Sequence, residues 1–445
     1  MTSETLPVSP IAEELFIIGN GFDLQCGLET TYYNFIGYIL NKREQQDNQL
    51  SDDYEQIVSQ YERMLAPELN TDIRGYDWLS VKFSDFKYDI NIWYRILLYE
   101  KLNKNSNWSS VEAVIATYLK NYDMISYLTK LFFQKKKKPS FSDNRVLPEI
   151  KVNNNSNSRN DVYYAVLYGI IFRAEDSLSL DSGKHLYSEL KTLFSSPNQV
   201  SVDTVKELIT SALLNELNEL EYDFECFIRY RVEKTNNYLD SANFLLERML
   251  NPEADAITFV EPRPYHLLSF NYTSIWSGTA KSIYSPEKYL DVHGKLPKLN
   301  IKFSNIIFGI DHEGIEANSL EYRFTKTYRT LQLYSRNFEG VGDNRDIYSP
   351  TIKRIKFYGH SLAEADYAYF QQIFDYYDLY DNQELELIFY YSVYDNGIAE
   401  QIEQNQMLAI SRLIEKYGQT MDNQNHGKNL LTRLIQTNRL KLIRI

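Results

Sequence analysis

The run Leu15-Phe16-Ile17-Ile18 ends directly in Gly19-Asn20-Gly21. Four apolar residues, two of them β-branched and stopped at once by glycine, predict a short buried strand entering a tight turn. The same rhythm returns only after residue 260. Residues 265–270, 289–292, 306–308 and 354–358 each read as a short apolar strand closed by a polar or glycine motif, with a further strand candidate at 385–393. Helical stretches at 363–377 and 399–417 intervene or follow. Short buried strands alternating with helices predict an α/β fold with a parallel sheet, whose ligand site lies beyond the carboxyl ends of the strands. From about residue 31 to 250 the pattern is mostly helical, as in 202–220 and 224–250. The predicted organisation is a Rossmann-like core begun by residues 1–31 (first strand and glycine turn), interrupted by a helical insertion or cap over 32–255, and completed by residues 256–445.

A chain of 445 residues is longer than the roughly 250–300 at which single cores stop growing, which fits a core plus insertion. With 47 basic against 60 acidic residues the formal charge is −13, so the chain lacks the broad positive field that makes nucleic acid or anionic lipid a default partner. Two cysteines, Cys26 and Cys226, form neither a disulfide framework nor a four-cysteine zinc site, and a reducing cytoplasm is expected. No basic signal region and no apolar run near 18–20 residues points to a membrane. Lys135-Lys136-Lys137-Lys138-Pro139 and the tract Asn153-Asn154-Asn155-Ser156-Asn157-Ser158 read as a solvated loop.

Four motifs fall at predicted strand ends. Gly19-Asn20-Gly21-Phe22-Asp23, followed by Gly27, lets the backbone turn sharply and approach a ligand phosphate with its amides; equally, it is a turn that needs glycine for its own geometry. Asp23 repels a pyrophosphate unless it caps a helix or accepts a ribose hydroxyl. Asn271, in Asn271-Tyr272-Thr273, offers both a donor and an acceptor to a ligand or water, or else caps a turn. His293, before Gly294, is suited to acid/base work near neutral pH, or is structural. In Tyr358-Gly359-His360-Ser361-Leu362, Gly359 ends a strand and Ser361 donates to a phosphate or caps the next helix. Asp366, one turn on, reads as a partner of that helix's dipole. The carboxyl ends of parallel strands converge on one crevice, so the four motifs are expected to form one site. The six histidines show no metal-ligand spacing, Asp311-His312-Glu313 reads as a solvated turn, and no metal is expected. Ser361 does not sit in a nucleophile elbow.

These residues carry a resemblance. Residues 17–24 with Gly27, Leu28, Thr30, Thr31, Tyr32 and Phe35 look like the N-terminal signature of the AbiH family of bacterial phage abortive-infection proteins. The segments 269–273, 292–294, 307–309 and 358–362 with Asp366 follow in that family's order, and Trp108 with Glu112 fits its inserted region. More distantly, Gly19, Gly21 and Gly27, then Asn271, then His293-Gly294, then Gly359 with Ser361 are similar to the glycine turn, Asn-x-Asp, His-Gly and Gly-x-Ser elements of sirtuin-like NAD-binding domains. Asn20 and Phe22 are bulkier than the residues sirtuins use there, Thr273 replaces the usual Asp, and two cysteines cannot build the zinc module of the deacylating members.

The resemblance implies an antiphage protein with a sirtuin-like core that binds NAD or a related nucleotide and hydrolyses the nicotinamide–ribose bond as an NAD glycohydrolase. Gly19, Asn20, Gly21, Phe22, Asp23, Gly27, Gly359, His360, Ser361 and Asp366 are then the nucleotide-binding residues. Asn271 positions the nicotinamide ribose or water, and His293 accepts a proton from a ribose hydroxyl or water. The alternative is a sensor without catalysis, whose helical insert recognises a phage product. A nucleotide ligand and a phage-derived trigger are the expected partners, and self-association is left open.

Overall fold

The computed structural model describes residues 11–44, 91–102, 111–121, 123–134, 200–252, 263–273, 284–294, 304–336, 347–394 and 396–445, with the single positions 186, 188, 189, 192, 193 and 296. The lysine run 135–138, the Asn/Ser tract 153–158, Trp108 and His185 lie outside the described residues. The chain divides into two compact units: one comprises residues 1–31, 225–307 and 330–445, and the other residues 32–224 and 308–329.

Among its described residues the first unit carries an all-parallel, six-stranded sheet in the order β3-β2-β1-β4-β5-β6. The strands are β1 (Glu14–Ile18), β2 (Tyr265–Ser269), β3 (Lys288–Asp291), β4 (Arg354–Tyr358), β5 (Glu386–Tyr391) and β6 (Leu440–Arg444). β1 is central: Ile18 aligns with Ser269 on one side and Tyr358 on the other. Strand order runs one way from β1 and the other way from β4, which makes the β1/β4 boundary a topological switch point.

A parallel sheet buried on both faces explains why its strands read as continuous apolar runs. Alternation sends Leu15 and Ile17 to one face, with Phe357, Phe389 and helical Phe370, Ile373, Ile414 and Leu430. Phe16 and Ile18 go to the other, with Tyr358, Ile388, Ala242, Leu246 and Met249. The helices of the first face are α9 (Tyr367–Tyr376), α10 (Ala399–Thr420) and α11 (Gln424–Gln436). The second face is covered by α7 (Tyr238–Leu250), whose buried residues Tyr238, Ala242, Leu245, Leu246, Met249 and Leu250 form one helical stripe. A buried lysine fixes this helix. Lys356 of β4 donates to Glu14 Oε2 on β1 at 2.9 Å and to the Met249 carbonyl at 2.7 Å, near the end of α7.

Residues 306–308 are not a strand. The Ile307 amide donates to the His293 carbonyl at 3.1 Å and the Phe308 amide to Glu221 Oε1 at 2.7 Å, so neither amide serves a ladder. The second unit is helical among its described residues: α2 (Tyr32–Glu44), α3 (Ile92–Leu102), α4 (Val111–Ala116), a π turn at Thr117–Asn121, α5 (Met124–Gln134), most of α6 (Val202–Lys234) and the start of α8 (Lys326–Arg336). Its core centres on Phe35, Phe224 and Phe308, with the Phe35 and Phe224 rings edge to face at 4.9 Å. No helix among the described residues is long and apolar enough to cross a membrane.

Candidate functional site

The turn after β1 opens α1 (Asn20–Gln25), and its glycines are required by another backbone. Gly19 N–H donates to the Tyr358 carbonyl at 3.0 Å and Gly21 N–H to the Gly359 carbonyl at 2.7 Å. A Cβ on Gly21 would lie 2.7 Å from Gly359 Cα, and one on Gly359, whose φ is +68°, would lie 2.2 Å from the Phe22 nitrogen. The turns after β1 and β4 interlock through the space that side chains would occupy. From sequence, a side chain at Gly21 would exclude a phosphate at little cost in stability; the structure makes it a clash between two main chains.

Gly27 has a different duty. It sits at φ +82° past the end of α1, where Gly27 N–H reaches the Leu24 carbonyl and Leu28 N–H the Asp23 carbonyl. This is a Schellman closure, which favours glycine for its left-handed backbone. Asn20 is exposed, and its Oδ1 accepts the Thr30 hydroxyl at 2.6 Å.

Asp23, 1% exposed, accepts the Tyr238 hydroxyl on Oδ1 and the Thr273 hydroxyl on Oδ2, each at 2.6 Å. Burial pushes its carboxyl up to about 6, against the pull of the Thr273, Tyr238 and Asn271 side chains. The folded protein therefore keeps this proton to higher pH than the unfolded chain does, and stability falls as pH rises from about 4 to 6. The loss, about 3 kcal/mol, is complete above that window. Asp23→Asn removes the penalty. Its melting temperature is expected to exceed the wild type's at pH 7 and to converge with it near pH 4; a gap independent of pH in a thermal-unfolding series would overturn this.

Asn271 follows β2 and is 2% exposed. Its side chain lies close enough to Asp23 to favour the charged carboxylate. Among the described residues, however, neither Oδ1 nor Nδ2 completes a hydrogen bond. A buried amide with no partner costs roughly 1–3 kcal/mol, which makes it an exception in a folded core.

Beyond it, two imidazoles meet one carboxylate. His293 Nε2 lies 3.1 Å from Asp366 Oδ1, and His360 Nε2 lies 3.3 Å from Asp366 Oδ2. Asp366 stands at the N-terminus of α9 without a side-chain capping bond, and its two carboxylate oxygens face the two histidines. His293 is placed by Gly294, at φ +84°, where a Cβ would lie 1.5 Å from the Asn305 carbonyl oxygen. Phe270 packs edge-on against both rings, 4.5 Å from His360 and 5.4 Å from His293, and Tyr369 closes on His293 at 5.9 Å. Leu362 holds φ +53°, at a cost of about 1–2 kcal/mol, with its amide donating to His360 Nδ1 at 2.9 Å. Ser361 is exposed beside it.

The strand ends thus gather Asp23, Asn271, His293, His360 and Asp366, with Asn20 and Ser361 at exposed positions on the two interlocked turns. His266 lies inside β2, its Nδ1 2.6 Å from the Ile347 carbonyl, and His426 stacks on Tyr380. Sequence does not single out Tyr238, whereas Phe270 and Tyr369 stand in the motifs of Asn271 and Asp366 without a role assigned to them. Tyr238 carries no motif, only the first place on an amphipathic helix 215 residues from Asp23. Among the described residues no three His, Cys, Asp or Glu side chains are disposed to hold a metal ion.

Comparison with curated proteins and with solved structures finds no match. A profile of the family described as bacteriophage abortive infection AbiH matches residues 15–391, a span that runs from β1 to the last residue of β5 and takes in every residue of this site, and the chain belongs to the AbiH family.

Proposed function

We propose that this abortive-infection protein binds NAD or a closely related nucleotide on a Rossmann-like sheet and hydrolyses its nicotinamide–ribose bond. The observation that carries the reading is Asn271, a buried amide whose donor and acceptor complete no hydrogen bond among the described residues, beside the buried Asp23 carboxyl and next in sequence to Phe270, which packs on both histidines of the carboxylate cluster. The strand order supports it, since doubly wound sheets of this order bind dinucleotides at the switch point where the β1 and β4 turns lie.

The nicotinamide ribose sits against Asn271, and the pyrophosphate reaches toward the exposed Asn20 and Ser361. As the glycosidic bond breaks, its electron pair goes to the nicotinamide nitrogen, which becomes neutral. Positive charge then develops on the ribose. Asp23, ionised above about pH 6, stabilises it across a medium of low dielectric. A water oxygen bonds to the ribose carbon, and His293 takes the proton that water gives up.

The test is incubation of the purified protein with NAD, with free nicotinamide and ADP-ribose measured by chromatography and NAD binding by calorimetry. Neither binding nor release would overturn the reading. Asn271→Leu, close in volume, is expected to abolish binding while its melting temperature near pH 4, where Asp23 is protonated and has no charge for the amide to favour, holds or rises, because an amide that completes no hydrogen bond among the described residues leaves the core. A fall of several degrees would mean that Asn271 serves the fold.

A further inference from the structure

Hydrolysis as proposed above needs a lone pair on one ring nitrogen of His293. Resting on that reading, we propose that Asp366 and His360 are positioning residues that set the tautomer of His293, keeping its proton on Nε2 and its lone pair on Nδ1.

The chain of constraint starts at a backbone amide. Leu362 N–H donates to His360 Nδ1 at 2.9 Å, and an N–H donates only to a lone pair. His360 is therefore neutral, with its proton on Nε2, which faces Asp366 Oδ2 at 3.3 Å. The one lone pair of the neutral His360 ring is thereby taken by the Leu362 amide, which removes it as a base. Asp366 Oδ1 faces His293 Nε2 at 3.1 Å. An ionised carboxylate only accepts, so His293 carries hydrogen on Nε2, and in its neutral form the lone pair lies on Nδ1. The charge of Asp366, opposite a neutral His360, then supports the imidazolium that forms when Nδ1 takes a proton, as the third group of a catalytic triad does. One amide in the turn after β4 thus governs a ring in the turn after β3.

Asp366→Asn tests the chain because the amide has one oxygen and one NH₂. His360, its Nδ1 still held by Leu362, must donate from Nε2 and so takes the oxygen. The NH₂ faces His293 Nε2, which must accept, and the His293 proton moves to Nδ1. Nitrogen-15 NMR of the full-length, histidine-labelled protein above pH 8 reads this directly, since a nitrogen bearing a lone pair resonates well downfield of a protonated one. His293→Gln and His360→Gln assign the signals. The expected result is both rings as Nε2–H in the wild type. In Asp366→Asn, His360 should be unchanged and His293 converted to Nδ1–H, with nicotinamide release down roughly 10²–10⁴-fold at little change in KM. A wild-type Nδ1–H form at either ring, or an unchanged His293 in the variant, overturns the proposal, and the wild-type spectrum decides it even if the variant does not fold. Absence of NAD cleavage by the wild type would instead overturn the functional reading, and the spectra would still judge the positioning role.

Discussion

His293→Ala is expected to lower nicotinamide release from NAD by roughly 10²–10⁴-fold while NAD binding, measured by calorimetry, changes little. The imidazole is 4% exposed, within reach of Asp366 and packed by Phe270 and Tyr369, which fixes its orientation before any ligand arrives. The ligand contacts proposed for Asn271 and the exposed turn residues lie outside that ring, so binding and chemistry should separate. Removing the ring leaves Asp366 with one imidazole fewer, and about 1–3 kcal/mol of stability goes with it. A thermal-unfolding control at the assay temperature therefore accompanies the kinetics. A sensor without catalysis would show the opposite pattern, with no turnover to lose and signalling undiminished in a folded His293→Ala protein. Phage protection that persists in that variant would remove His293 from the chemistry.

Gly359→Ala is expected to destabilise the sheet-bearing unit by roughly 2–5 kcal/mol, from a left-handed alanine plus forced overpacking. The new methyl would meet the Phe22 nitrogen at 2.2 Å and the Gly21 carbonyl carbon at 2.6 Å, and main chain cannot swing aside as a side chain can. Gly27→Ala is the natural comparison. It also sits at positive φ, yet a Cβ there meets nothing within 4 Å, so it should lose only the conformational part, about 1–2 kcal/mol. Urea midpoints of the two variants would separate the conformational penalty from the steric one; equal losses would show that the interlock of the two turns contributes nothing.

Five of the six strands were legible because each is an apolar run stopped by a glycine or polar residue. β6 was not: Leu440–Arg444 places Lys441 and Arg444 among three aliphatic residues and lies partly exposed at the sheet edge, where no continuous apolar run is needed. Residues 306–308 misled for the converse reason, since an apolar triplet can be buried with its amides bonded elsewhere. At the site, Asn271, His293 and His360 stood out because each ends or follows a strand. Their partners could not be read, because they are facts of three-dimensional proximity. Asp366 looked like a dipole partner from its place in the first helical turn, and only the register of β3 and β4 brings the two histidines to it. The glycines were visible as glycines, but what needs them small is a second glycine turn some 340 residues away.

That separation also governs when the protein can acquire its chemistry. β1, complete at Ile18, has Tyr265–Ser269 on one flank and Arg354–Tyr358 on the other, so it leaves the ribosome long before either neighbour exists. At a synthesis rate of roughly 5–20 residues per second, the strand at the centre of the sheet waits on the order of 20–70 seconds for the second of them. Asp366 follows later still. A nascent chain that ends between β3 and β4 carries Asp23, Asn271 and His293 but neither His360 nor Asp366, so it holds only part of the set that the folded strand ends bring together. The gathering of the strand ends therefore waits on the last third of the chain, which supplies β4 and Asp366.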